Sequence, residues 1–184
     1  MINFNKSLSL SGTKQSARLA VLDFVPQNAK NVITLPGEIF IFEALLRKKI
    51  KDLNICGYET KKVVYKRNMS KNYFFVRNIF SDYINANILT ADLSDIDFAW
   101  LDTCYNPSSD FQAKFVKQTR NVKPKSRIVV TVTNKVRNMK QENRTRCSVD
   151  EFLNAIHWLT SGKVLSVYNY KNGRSPMTMI FIQY

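Results

Sequence analysis

The chain has 184 residues, 45% apolar and 23% charged, the balance of a single soluble globular domain. Its 12 Phe, 8 Tyr and 2 Trp are too many for a solvated coil, 5 Gly and 5 Pro exclude collagen-like or low-complexity sequence, and no apolar run reaches the roughly 18 residues of a membrane span. Lys and Arg total 28 against 14 Asp and Glu, giving a net charge of +14 and a pI of about 9.8, the electrostatic footprint of a nucleic-acid binder.

The elements follow in chain order. Residues 13–24 place Ala17, Ala20, Val21 and Phe24 on one helical face, and Pro26 stops the helix. Residues 32–35 read as a short buried strand ending at Pro36-Gly37. Residues 38–50 (EIFIFEALLRKKI) read as a helix, with acid near the start and Arg47, Lys48 and Lys49 near the end. A second strand, 53–56, ends at Gly57-Tyr58-Glu59, and residues 61–80 hold a basic helix. A third strand is expected over 84–89 and a stronger one over 96–101, ending at Asp102. Ser108 or Ser109 caps a helix to about Arg120, with Phe111, Phe115 and Val116 inward. Residues 127–133 (RIVVTVT) are the clearest strand. Ser148 and Glu151 form a capping box opening a helix over 149–160, with Gly162 just past its end. Two alternating runs, VLSVYNY and MTMIFIQY, flank Lys171-Asn172-Gly173-Arg174 and read as a hairpin.

Strands alternating with helices imply a mostly parallel sheet with helices on both faces, closed by an antiparallel hairpin. The expected organisation is one domain over 1–184, with residues 1–30 as an N-terminal helical extension on a 31–184 core. Residues 1–20 lack the continuous apolar stretch of a signal peptide, so the expected location is cytoplasmic, without membrane attachment. Three cysteines (Cys56, Cys104, Cys147) without zinc spacing and one histidine, His157, give no support to a disulfide framework, a metal site or a His-based triad. His157, beside Trp158, reads as structural.

Charge is segregated along the chain. Residues 60–81 carry no acid and six bases: Lys61, Lys62, Lys66, Arg67, Lys71 and Arg77. Residues 78–113 carry no base and six acids: Asp82, Asp92, Asp95, Asp97, Asp102 and Asp110. A third block, 134–146, sets Lys135, Arg137, Lys140, Arg144 and Arg146 against Glu142 alone. A protein that only coats phosphate gains nothing from a concentrated acidic segment, which repels its ligand. One that also handles a polar or cationic small molecule can use it. The plainer reading makes these aspartates caps and strand ends.

Ligands of such sheets sit beyond the carboxyl ends of the central strands. The residues expected there are Pro36-Gly37-Glu38, then Glu59, then Ala91-Asp92, then Asp102-Thr103-Cys104-Tyr105. A turn followed by an acid after the second strand follows dinucleotide-site logic, yet no Gly-rich phosphate loop is present. With these residues in this order, the chain from about Asn31 to Tyr184 resembles the class I S-adenosylmethionine-dependent methyltransferases. That resemblance implies a Rossmann-like seven-stranded α/β sheet. ITLPGEIFIFEALL resembles the first motif, so Pro36 and Gly37 would approach the methionine part of the cofactor. Glu59 matches the acid that binds the cofactor ribose, and Asp92, in TADLSD, matches the polar position near its adenine. WLDTCY resembles the fourth motif of the amino-methyltransferases that act on adenine in nucleic acids, usually Asp/Asn-Pro-Pro-Tyr/Phe.

By that resemblance S-adenosylmethionine is the cofactor, and the N6 amino group of adenine in DNA or RNA is the target. Asp102 would accept a hydrogen bond from the amine, and Tyr105 would stack on the extruded base. Lys135, Arg137, Lys140, Arg144 and Arg146 would grip phosphates as one loop, with Lys61, Lys62 and Lys66 as a second patch. The departures are Thr103 and Cys104 in place of the two prolines, and a first motif reduced to one glycine. Cys104 has no basic neighbour in sequence to make it a nucleophile. The competing reading is a methyltransferase-like nucleic-acid-binding or complex-building subunit without chemistry; transfer to a small molecule or protein is a third. A chain this short leaves no room for a separate target-recognition domain, so specificity is expected to be low, or supplied by a homodimer mate or partner subunit.

Overall fold

The computed structural model describes residues 14–36, 40–133, 148–172 and 175–184, with the backbone alone at 104 and 105. Helix α1 (Lys14–Phe24) leads into β1 (Asn31–Thr34), α2 (Ile41–Lys49) and β2 (Asn54–Tyr58). Two consecutive helices, α3 (Lys62–Lys71) and α4 (Tyr73–Ile79), then precede β3 (Asp82–Ile84). A 3-10 turn (Ile88–Thr90) leads to β4 (Phe98–Tyr105), α5 (Ser109–Thr119) and β5 (Arg127–Thr133). The chain closes with α6 (Val149–Leu159) and the hairpin β6 (Lys163–Asn172) and β7 (Ser175–Gln183).

The strands form one seven-stranded sheet in the order β3-β2-β1-β4-β5-β7-β6. Strands β1 to β5 pair in parallel, and β7 joins both β5 and β6 antiparallel. The chain turns from one half of the sheet to the other between β1 and β4, and in such sheets ligands bind at the carboxyl ends of the strands that flank this switch point.

Period-2 alternation divides the core. On β4, Phe98 and Trp100 face the α1/α2 side, where they pack with Ala17, Val21, Phe24, Phe42 and Leu46. Ala99 and Leu101 face the other side, with Phe111, Phe115, Phe152 and Ile156 of α5 and α6. Phe98, Phe115, Phe152 and Phe181 are wholly buried, each contributing about 2 kcal/mol through area removed from water. Four inward residues of α1 (Ala17, Ala20, Val21, Phe24) match the face read from the sequence, and α1 packs into the same core as α2 and β6.

Four sequence expectations are corrected. Residues 84–89 are not a strand: β3 stops at Ile84, and Asn87 caps the 3-10 turn by accepting the Leu89 N–H. The basic segment 61–80 is two helices that part at Asn72. Strand β4 does not end before Asp102 but runs to Tyr105, with a register shift against β5 after Leu101. The second strand does not stop at Cys56 but runs on to Tyr58. Gly57 lies within it, paired with Thr34 and Tyr83, where an added Cβ would sit 2.7 Å from Phe80 Cε1 and 2.9 Å from Tyr83 Cδ2. The capping box at Ser148 and Glu151 forms as read, each residue bonding the other's backbone N–H.

Candidate functional site

The acids of the middle segment divide by position. Asp97 Oδ2 accepts the Lys30 and Asn31 N–H groups at 2.7 and 2.9 Å, fixing the amino end of β1. Lys123 bridges Asp95 and Asp97 at 2.9 and 3.0 Å. Asp110 pairs with Lys114 one turn on, at 2.9 Å. Asp92 is exposed, and its carboxylate accepts the Ser94 N–H at 2.9 Å, which holds its pKa below the usual aspartate value. These four are the strand-start and cap residues of the plainer reading. Asp102 alone of the six lies toward the carboxyl end of a central strand.

Asp102 continues the alternation of Phe98 and Trp100, which turns it to the α1 side. Lys14, the first residue of α1, meets it there, with Nζ 3.3 Å from Oδ2. The Asp102 side chain is only 10% exposed. Thr34, the last residue of β1, faces the same side, as does Glu43 of α2. Glu43 is 2% exposed. Burial pushes its pKa up from 4.5 to about 7; its own backbone, the Thr34 hydroxyl and the Arg18 charge pull the other way, and Asp102 raises it further. Thr34 Oγ1 is itself buried without a partner at full hydrogen-bonding distance. Lys14, Arg18, Thr34, Glu43 and Asp102 thus make one charged cluster under the β1/β4 switch point. It holds two cations and two carboxyl groups, and one of those carboxyls titrates near neutrality.

Glu59 follows β2 directly and is 6% exposed. Its Oε1 accepts the Lys61 N–H at 2.7 Å, and its backbone is pinned to β3, the N–H donating to Ile84 O at 2.9 Å and the carbonyl accepting from Asn85 Nδ2 at 2.6 Å. Among the described residues Oε2 has no hydrogen-bond partner. Nearby, Tyr83 stacks on Tyr65 at 5.3 Å, and its hydroxyl accepts from Asn68 Nδ2 at 2.9 Å. Burial pushes the Tyr83 pKa up to about 12, so it stays a neutral phenol at physiological pH.

Of the site residues read from sequence, Pro36 and Glu59 lie just past the carboxyl ends of β1 and β2, and Asp102 lies in the carboxyl half of β4, three residues before its end. Asp92 does not follow a strand directly, though it lies within electrostatic range of Tyr58, the last residue of β2. It follows the 3-10 turn, and Asn85 is the polar residue that leaves β3. Gly37 lies outside the described residues, as does the side chain of Tyr105. Lys61, Lys62 and Lys66 are exposed at and within the start of α3. The block Lys135, Arg137, Lys140, Arg144 and Arg146 lies outside the described residues. Glu43, Lys14 and Arg18 were not picked out in sequence. Their signal was present: Glu43 sits on the helical face of Phe42 and Leu46, and Lys14 and Arg18 are one turn apart beside Ala17 and Val21. Among the described residues no group of three or more His, Cys, Asp or Glu is placed to hold a metal ion, and no helix is long and apolar enough to cross a membrane.

No protein-family model matches the chain, and no curated protein matches it in sequence. Solved structures do match. One is the geranyl diphosphate C-methyltransferase from Streptomyces coelicolor A3(2), solved with Mg2+, geranyl diphosphate and S-adenosyl-L-homocysteine; the TM-score is 0.65 at 11% identity, over 92% of this chain and 80% of that one. A second is the [4+2]-cyclase SpnF, with a TM-score of 0.65 at 9% identity, over 96% of this chain and 85% of that one. A third is the PH0226 protein from Pyrococcus horikoshii OT3, with a TM-score of 0.61 at 11% identity, over 96% of this chain and 94% of that one. At such identities the likeness shows the fold, the Rossmann-like methyltransferase sheet, and a fold shared with a cyclase does not by itself fix the chemistry.

Proposed function

We propose that this chain is an S-adenosylmethionine-dependent methyltransferase acting on nucleic acid, at the N6 amino group of adenine. The observation that carries the reading is the placement of two carboxyl side chains toward one edge of the sheet, either side of the end of β1: the buried Glu59 after β2 and the 10% exposed Asp102 on β4. Glu59 suits a ribose diol. It is pinned through its backbone and Oε1, which leaves Oε2 to accept. The fit at β1 is thinner, because Pro36 has no N–H to offer the cofactor. The solved geranyl diphosphate methyltransferase with SAM, which shares the fold, lends general support.

The cofactor would supply the reactive methyl group. The chain's own work is then alignment and proton management. Asp102 would accept a hydrogen bond from the target amine, which raises the nucleophilicity of its nitrogen. The Lys14 ammonium, 3.3 Å from that carboxylate, stands where such an amine would dock, so a substrate must displace or share it. Net charge of +14 and the exposed Lys61, Lys62 and Lys66 beside Glu59 favour a polyanionic substrate.

The test is transfer of labelled methyl from S-adenosylmethionine to DNA and RNA, read as N6-methyladenine. Wild type should transfer, and Asp102→Ala should lose at least about a hundredfold in kcat, in the range typical for positioned hydrogen-bonding groups, while keeping nucleic-acid affinity. Undiminished transfer by Asp102→Ala would remove the role assigned to it. The occupied Asp102 and the Pro36 turn favour a second reading, a nucleic-acid-binding subunit without catalysis. That reading expects no transfer from wild type at any nucleic acid it binds.

A further inference from the structure

The surface of α3 and α4 combines two features that rarely share one place. It is basic without relief: residues 60–81 contain six bases and no acid, and Lys61, Lys62, Lys66, Lys71 and Arg77 are exposed. It also leaves large apolar groups in water. Phe74 is 74% exposed, Phe75 59% and Val63 79%, with Tyr73 half out beside them. Helix α4 buries Val76 and Ile79, which turns its aromatic first turn outward. The Phe74 and Phe75 rings stand 6.0 Å apart at 82°, and the Arg77 guanidinium lies 5.6 Å over the Tyr73 ring.

Exposed apolar groups in a cluster mark a contact surface, and the charge selects the partner. An apolar protein surface offers nothing to the five exposed cations, whereas a polynucleotide supplies phosphates for them. The rings then require bases with open faces, which a duplex hides and a single strand presents. A ring separation of 6.0 Å also exceeds the ~3.4 Å rise of stacked bases, which suits an unstacked strand. Helix α3, ten residues and so about 15 Å long, begins beside Glu59 and ends next to α4. It joins the aromatic turn to the sheet edge that carries the proposed site.

We propose that α3 and α4 form a landing surface for single-stranded nucleic acid, with Phe74 and Phe75 stacking on unpaired bases and Lys62, Lys66 and Arg77 holding the flanking phosphates. This rests on the proposed nucleic-acid substrate and narrows it to unpaired strands.

The experiment is fluorescence anisotropy of the full chain with a labelled 20-nucleotide oligo(dA) and with a mixed-sequence duplex of equal length, across a salt series and without cofactor. Single strand should bind more tightly than duplex. The Phe74→Ala, Phe75→Ala double variant should weaken single-strand binding by about tenfold or more, with the salt slope and thermal midpoint unchanged. Lys62→Ala with Lys66→Ala should instead flatten the slope by about 1.4, at roughly 0.7 per phosphate contact. Phe74→Trp with Phe75→Trp should bind as well as wild type or better, which guards against a folding defect in the alanine pair. Equal binding by the alanine pair, a preference for duplex, or weaker binding by the tryptophan pair would overturn the proposal. So would a dimer, seen by light scattering, that the alanine pair splits, since the patch would then be covered by a second copy. Single-strand binding that meets these expectations without any methyl transfer would remove the proposed reaction and leave the landing surface standing.

Discussion

Replacing Glu43 by Gln should stabilise the protein at alkaline pH and do nothing in acid. Glu43 is sealed between α2 and the end of β1, and burial raises its pKa from 4.5 to about 7. The unfolded chain releases this proton near pH 4.5, but the folded chain holds it to about pH 7. Between those values the folded state binds more protons than the unfolded one, so stability falls as pH rises, and the loss is complete above pH 7. A shift from 4.5 to about 7, at about 1.4 kcal/mol per unit, costs the native state about 3 kcal/mol at pH 8. Glutamine keeps the shape and the polar contact with Thr34 but carries no charge to desolvate. Glu43→Gln should therefore melt roughly 6 to 12 °C above wild type at pH 8, given about 2 to 4 °C per kcal/mol for a chain of this size. At pH 4.5 the two should melt together. Circular dichroism melts from pH 4.5 to 8.5 provide the curve. Because Asp102 raises the Glu43 pKa, Asp102→Asn should shift the wild-type fall in stability to lower pH. A gap independent of pH, or a variant less stable than wild type at pH 8, would refute this reading of the cluster.

Two further outcomes follow from the geometry. Gly57→Ala should destabilise by about 1 to 3 kcal/mol, the usual cost of overpacking, since its Cβ would overlap the Phe80 and Tyr83 rings; a urea midpoint equal to wild type would contradict the close approach. Lys14→Ala should lower the KM for nucleic acid in the methyl-transfer assay with kcat kept, because the substrate amine would no longer compete with an ammonium at Asp102. A fall in kcat at unchanged KM would instead make Lys14 a positioning residue.

The elements with strong local signals were legible. The RIVVTVT strand, the capping box at Ser148 and the inward face of α1 all formed where pattern and cap chemistry put them. Local signal failed where neighbours decided. Ile84 to Leu89 is apolar enough for a strand, but only Asp82–Ile84 finds a partner in β2, and Asn87 turns the rest into a 3-10 cap. The expectation that Asp92 directly follows the third strand rested on that missing strand length. Gly57 was read as the end of the second strand because glycine weakens a strand, and its reason lies across the sheet in Phe80 and Tyr83. At the site, Glu59 was legible because it follows β2, and Asp102 because it lies in the carboxyl half of a strongly apolar strand. The Lys14–Asp102 pair joins residues far apart in the chain, and Glu43 acquires its raised pKa only from tertiary burial. Local spacing puts Glu43 on the buried face of α2, but it shows neither the pairing nor the raised pKa.

The most direct measurement is calorimetric titration of the chain with S-adenosylmethionine and S-adenosylhomocysteine, for wild type, Glu59→Gln and Glu59→Ala. If Glu59 holds the ribose, wild type should bind with micromolar affinity, and both variants should bind at least tenfold more weakly, a loss of about 1.4 kcal/mol. No heat of binding from wild type, with or without single-stranded nucleic acid present, or undiminished binding by Glu59→Ala, would contradict a cofactor site at this edge of the sheet.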